Sequence, residues 1–171
     1  FQYYTKAIEL KPDEALYHHN FANSLWVLRK AAVEYYKISE QQVFLRCLNL
    51  FSNACRLAPQ NFPFASDLAQ TYYAIKPLQT EYALHAWTNA LRHAHDDLER
   101  EGVFLHLARV KMLDGKHQEA RLALAPIKHE KYDRLKKSLL ESIEERERPK
   151  STNSPAPAKN RAAARAGGDA R

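Results

Sequence analysis

Residues 93–97 read HAHDD, and His85 lies two helical turns upstream. Three imidazoles (His85, His93 and His95) and two carboxylates (Asp96 and Asp97) form a donor set that zinc accepts, neutral ring nitrogens and anionic oxygens filling a tetrahedron. The same residues suit a plainer role. Histidines at the end of a helix meet the negative end of the backbone dipole, and an aspartate just beyond them caps the next helix. The plainer role is expected, with no metal and no cofactor. Cys47 and Cys55 are eight residues apart in one expected helix, about 12 Å along its axis, which is too far for a disulfide. Carboxylates are plentiful, but they fall at caps or on polar faces beside Lys and Arg. The chain carries no glycine-rich phosphate loop, no GxSxG and no HExxH, the patterns that place a nucleophile, a phosphate or a hydrolytic metal. Catalysis is not expected of it.

The elements that would position these residues are helical. Apolar residues recur at helical spacing and caps stand at the breaks, dividing the body into about eight helices. The first runs over 1–10 before Pro12. The second covers 14–28 behind Asp13, and the third opens on Ser39 with Gln42 as a capping box and runs to about Leu57. Asn61 caps a fourth over 62–75, in which Pro63 is tolerated in the first turn. Thr80 caps a fifth to about Ala94. Asp96 or Asp97 caps a sixth that ends before Gly115, and a seventh covers 117–124 before Pro126. An eighth covers 130–146, with Tyr132, Leu135, Leu139 and Ile143 on one face. Only four glycines occur in the 171 residues, two of them Gly167 and Gly168, so tight β-hairpins have few places to turn. The fold class is all-α.

Charge and composition bound the partners. The chain carries a net charge of +6, but Arg148, Lys150, Lys159, Arg161, Arg165 and Arg171 stand against Asp169 alone at the C-terminus, which leaves +1 for residues 1–147. The basicity belongs to residues 148–171, whose Ala/Pro-rich text has too little apolar content to pack and reads as a disordered tail. It holds no aromatic residue on which a base could stack. No apolar run reaches the ~18 residues of a membrane span, and no basic-then-apolar signal segment opens the chain. The chain begins at Phe1 inside an amphipathic pattern, so further sequence before it is expected, and Phe1, Tyr4 and Ile8 are expected to lie bare without it.

The body repeats itself. Tyr4, Ala7, Pro12, Phe21, Ala22 and Leu25 are matched, interval for interval, by Phe51, Ala54, Pro59, Leu68, Ala69 and Tyr72. Partial copies follow as Ala83, Trp87 and Ala90, then Leu107, Ala108, Gly115 and Ala120. Over 1–127 these residues resemble the tetratricopeptide repeat, a helix-turn-helix unit of about 34 residues. The resemblance implies a TPR-like superhelix of antiparallel helix pairs over 1–147, closed by a capping helix at about 130–146. Small residues let two helices approach where a large neighbour fills the space beside them. Leu at Ala69 or Ala108 is expected to cost about 1 to 3 kcal/mol by overpacking. Cys47 and Trp87 take a small and a large packing position, so both are expected in the core. The spacing departs from the family: 47 residues separate Phe21 from Leu68, and 39 separate Leu68 from Leu107. The first excess falls within Trp26 to Ser39, which must lengthen the helices or form an ordered loop. Lys111 and His95 stand where the family has an aromatic residue and a proline.

The resemblance also implies a function. First helices of successive repeats line a concave groove, whose open positions here are His19, Asn20, Asn23 and Trp26, then Ser66, Asp67, Gln70 and Tyr73, then His106, Arg109 and Met112. Amides, aromatics and a few charges suit an extended peptide or a helix of a protein partner. Asn20, Asn23 and Arg109 match in part the set that grips a C-terminal carboxylate in some family members. His19 and Leu105 stand where lysine is wanted, so that specificity is not expected. Two alternatives remain: a structural segment of a larger, envelope-associated bacterial assembly, or binding of RNA or another polyanion through the basic tail.

Overall fold

The computed structural model describes residues 1–148; of the tail expected over 148–171, all but Arg148 lies outside the described residues. The described residues are all helical, without a strand: α1 (Gln2–Leu10), α2 (Ala15–Val27), α3 (Arg29–Tyr36), α4 (Glu40–Leu57), α5 (Phe62–Thr71), α6 (Thr80–Arg92), α7 (Asp97–Leu113), α8 (His117–Leu124) and α9 (Asp133–Glu147). Single 3-10 turns, Tyr72–Ala74 and Glu130–Tyr132, follow α5 and precede α9. None of these helices is long and apolar enough to cross a membrane.

Local chemistry accounts for most boundaries. Ser39 and Gln42 form the expected capping box at α4, each side chain meeting the other residue's backbone N–H, so two otherwise unpaired donors are satisfied together. Asn61 accepts from the Phe64 N–H at 3.0 Å, and Asp96 accepts from the Glu99 N–H at 2.8 Å. Gly115 follows α7 with φ of +77°, a conformation that favours glycine. Two caps differ from expectation. Glu14, not Asp13, accepts from the Leu16 N–H at the start of α2, and Gln79 precedes α6 without a side-chain cap while Thr80 is its first residue.

The long spacing between the first two copies of the pattern is neither a loop nor a longer helix. Leu28 leaves helical geometry, and α3 then runs to Tyr36 before Lys37 stops it at φ of +55°. Burial explains why this segment folds: Ala32 is fully enclosed beside Leu25 and Val43. Arg29 ties α3 to Glu40 of α4 at 2.9 Å, and the Arg46 guanidinium lies 4.3 Å from the centre of the Tyr36 ring. This extra helix also corrects the expectation for α1. Phe1, Tyr4 and Ile8 are partly buried, because Phe1 packs on Tyr35 and Tyr36 of α3 and Tyr4 stacks on Phe21 of α2. Part of the shorter excess, between Leu68 and Leu107, falls around residues 76–80 and is held by Gln41. Its side-chain amide donates to the Ala74 carbonyl, and its oxygen accepts from the Lys76 N–H.

Three apolar clusters run along the body, and shared helices join them. Phe21, Ala22, Leu25, Val43, Cys47 and Phe51 form the first, and Leu68 of α5 packs against it. Ala65, Ala69, Ala83, Trp87, Ala90 and Val103 form the second, with Leu107 of α7 against it. Ala108 of the same helix lies in the third, with Leu105, Met112, Ala120, Leu124 and Ile143. Thus α5 and α7 each serve two clusters, so the interior is continuous. Ala22, Ala69 and Ala108 are all 0% exposed. The cost expected for Leu at Ala69 or Ala108 is therefore a loss of close backbone approach, and a urea denaturation series reads it directly.

The last helix closes the third cluster through Leu139, Leu140 and Ile143, whereas Leu135 is 54% exposed and stands outside it. Tyr132 turns toward α7, where its hydroxyl donates to the Leu98 carbonyl at 2.9 Å. A Cβ on Gly102 would stand 2.8 Å from that hydroxyl, so the absence of a side chain there lets the two segments meet. Glu147 ties the far end of α9 to Arg121 of α8 at 2.6 Å.

Candidate partner-binding face

The eleven residues expected on an open face are carried by α2, by α5 with the turn after it, and by α7. Polar contacts join these segments in sequence. His19 of α2 donates through Nε2 to Asp67 Oδ2 of α5 at 2.8 Å, and its ring stacks on Phe64 with centroids 4.3 Å apart. The Asn23 amide nitrogen lies 3.3 Å from the same imidazole. Tyr73, in the turn after α5, donates to the His106 carbonyl of α7 at 3.2 Å. His106 lies flat on Trp87, 4.0 Å away and 2° from parallel, and the Arg109 guanidinium sits 4.7 Å from the centre of the Tyr73 ring.

These contacts change what several residues offer a ligand. His19, Asp67, Tyr73 and His106 are engaged with one another or with the core, so they hold the face together rather than standing open. Met112 is a correction: it is 6% exposed in the third cluster, because α9 lies over the end of α7. Asn20, Gln70 and Arg109 are exposed, while Asn23, Trp26 and Ser66 are half-buried. Trp26 packs on Phe44 at 5.0 Å.

Nor do the eleven line one trough. Asn23, Trp26, Asp67 and Gln70 surround a small cleft of about 60 Å³ between α2 and α5. Ser66 and His106 border one of about 280 Å³ with Trp87 and Tyr132. Asn20 lies in a shallow hollow with Tyr4, Val27 and Leu28. His106, Arg109 and Met112 border a cleft of about 390 Å³ whose opposite wall is α9: Leu135, Ser138, Leu139, Ser142 and Arg146. That wall was absent from the sequence expectation, although the stripe 135, 138, 139, 142 and 146 at helical spacing carried the signal.

Burial sets the ionisation of the enclosed groups. It drives the His106 imidazole down to about 4, with Arg109 adding to the effect, and pushes the Tyr73 phenol up to about 12. The same cause raises the Cys47 thiol to about 12 and that of Cys55 to about 11. Both thiols therefore favour the protonated, less reactive form at neutral pH. In the HAHDD segment, His95 pairs with Glu99 at 3.0 Å and Asp96 is the cap of α7. Among the described residues, no group of three or more His, Cys, Asp or Glu side chains is placed to hold a metal ion. Compared with protein-family models and with curated proteins, the chain matches none.

Proposed function

We propose that this chain is a TPR-like protein-interaction module, a helical solenoid that receives a peptide or helix of a partner protein on the concave face made by α2, α5 and α7, and that it carries no catalysis of its own. One observation carries the reading. Side chains of the same face tie α2 to α5 through His19 and Asp67, and the turn after α5 to α7 through Tyr73 and His106. First helices held side by side by their own polar residues make a preformed surface, which binds without a large ordering cost. The buried alanines and the continuous interior support the repeat reading, since stacked units require both. Protonated thiols and carboxylates engaged as caps support binding rather than chemistry.

The test is capture from a lysate of the producing cells, with the immobilised chain as bait. Asn20→Arg and Gln70→Arg alter exposed residues of the proposed face; Ser52→Arg and Thr88→Arg alter exposed residues of α4 and α6. Proteins retained by the wild type should be lost with the first pair and kept with the second. A captured set indifferent to the first pair removes this reading.

A further inference from the structure

We infer that the cleft between α7 and α9 docks a short acidic segment of a partner protein, with one apolar side chain of that segment entering the cleft and its side-chain carboxylates pairing with Arg109 and Arg146. The inference rests on the interaction-module reading and names the partner chemistry for one part of it.

The cleft has an apolar floor and a cationic rim. Leu105, Met112, Leu135 and Leu139 supply the apolar surface within about 390 Å³, enough room for one leucine- or phenylalanine-sized side chain. Leu113 and Leu135 are left 41% and 54% exposed at its edge. Apolar side chains in this setting mark a contact surface when they line a concavity together.

Charge then selects the occupant. Among the described residues, the only formal charges lining the cleft are the two guanidiniums, and no Asp or Glu lines it. Neither Arg109 nor Arg146 makes an ion pair among the described residues. Both are exposed, and a planar guanidinium is suited to hold a carboxylate through two parallel hydrogen bonds. Arg109 is already oriented by its contact with Tyr73. The Ser138 and Ser142 hydroxyls lie one helical turn apart on the same wall, where they offer hydrogen bonds to a peptide backbone.

The chain's own C-terminus is the nearest competitor and fits poorly. Residues 149–171 carry five Lys or Arg against one Asp, and their apolar residues are only Ala and Pro. Such a segment brings the same sign of charge to the two arginines and no large side chain for the floor. A partner in trans with the opposite charge fits both.

The experiment pans a random twelve-residue peptide library displayed on phage against the immobilised full chain. Enriched peptides are then synthesised with a fluorescent label and measured by anisotropy. Enriched sequences should carry Asp or Glu within a few residues of Leu, Ile or Phe. Their affinity should fall at least tenfold with Arg109→Glu, with Arg146→Glu and with Leu135→Asp, and should weaken as salt rises. Circular dichroism establishes that the variants fold, which the exposure of all three residues favours. Enriched peptides without acids, or affinities indifferent to Arg146→Glu and Leu135→Asp, overturn the inference. Dependence on Asn20→Arg and Gln70→Arg but not on these two would sink the cleft and leave the proposed face standing. Indifference to all of them removes both. Binding that appears only after residues 149–171 are deleted reassigns the cleft to the tail, and a dimer lost with Arg146→Glu reassigns it to a second copy; either result overturns the inference.

Discussion

Replacing Trp87 by alanine should lower the free energy of unfolding by about 3 to 5 kcal/mol, the usual cost of truncating a fully buried large aromatic. The indole is 1% exposed, encloses the second apolar cluster and carries the His106 ring on its face. A domain stabilised by a typical ~5 to 15 kcal/mol would lose a large share of its margin. Alanine removes the wall on which α7 rests, so the loss exceeds that of the side chain alone. Trp87→Phe should cost much less. Among the described residues the indole Nε1 meets no acceptor at hydrogen-bonding geometry, so phenylalanine forfeits chiefly volume. Urea midpoints read both values, and a loss below about 1 kcal/mol for Trp87→Ala would show that this cluster does not join α5, α6 and α7.

Acidification should weaken the same region. His106 takes its proton near pH 4 when folded and near 6.5 when unfolded. Between these values the unfolded chain holds a proton that the folded chain refuses, so stability falls as pH falls. The contribution is complete at pH 7 and is lost through the window from about 6.5 down to 4, amounting to roughly 3 kcal/mol over the whole span. Burial against Trp87 is the main cause and the Arg109 charge the second. His106→Phe keeps a ring on Trp87 but cannot titrate, so its urea midpoint should change less between pH 7 and pH 4.5 than that of the wild type. Equal slopes for the two proteins would assign the acid sensitivity elsewhere.

What the sequence made legible was chiefly local. The caps at Ser39, Asn61 and Asp96 depend on a hydroxyl, amide or carboxylate two or three residues from an unpaired N–H, and nothing distant changes that. At Glu14 and Gln79 two adjacent polar residues competed, and the choice turns on where the first turn begins. The extra helix α3 was hidden because its ends bear no proline or glycine: Leu28 leaves helical geometry and Lys37 adopts a left-handed conformation in their place. Only the burial of Ala32 against α2 and α4, a tertiary fact, shows why the segment folds. For the face, the family resemblance chose positions on α2, α5 and α7, and of these Met112 is buried. The resemblance did not show that His19 would find Asp67, 48 positions away, or that Trp87 would take up His106. Met112 was misplaced because the position of α9 over α7 follows from packing at Ile143 rather than from any pattern within α7.

Hydrogen exchange with a captured partner in place tests the proposed recognition face most directly. Amides of α2, α5 and α7, with those of α9 beside the arginine-rimmed cleft, should slow on binding, while α4, α6 and α8 keep their free rates. Protection confined to α4, α6 and α8, or no protection anywhere on the described residues, would contradict the claim that side-by-side first helices form the surface that receives the partner.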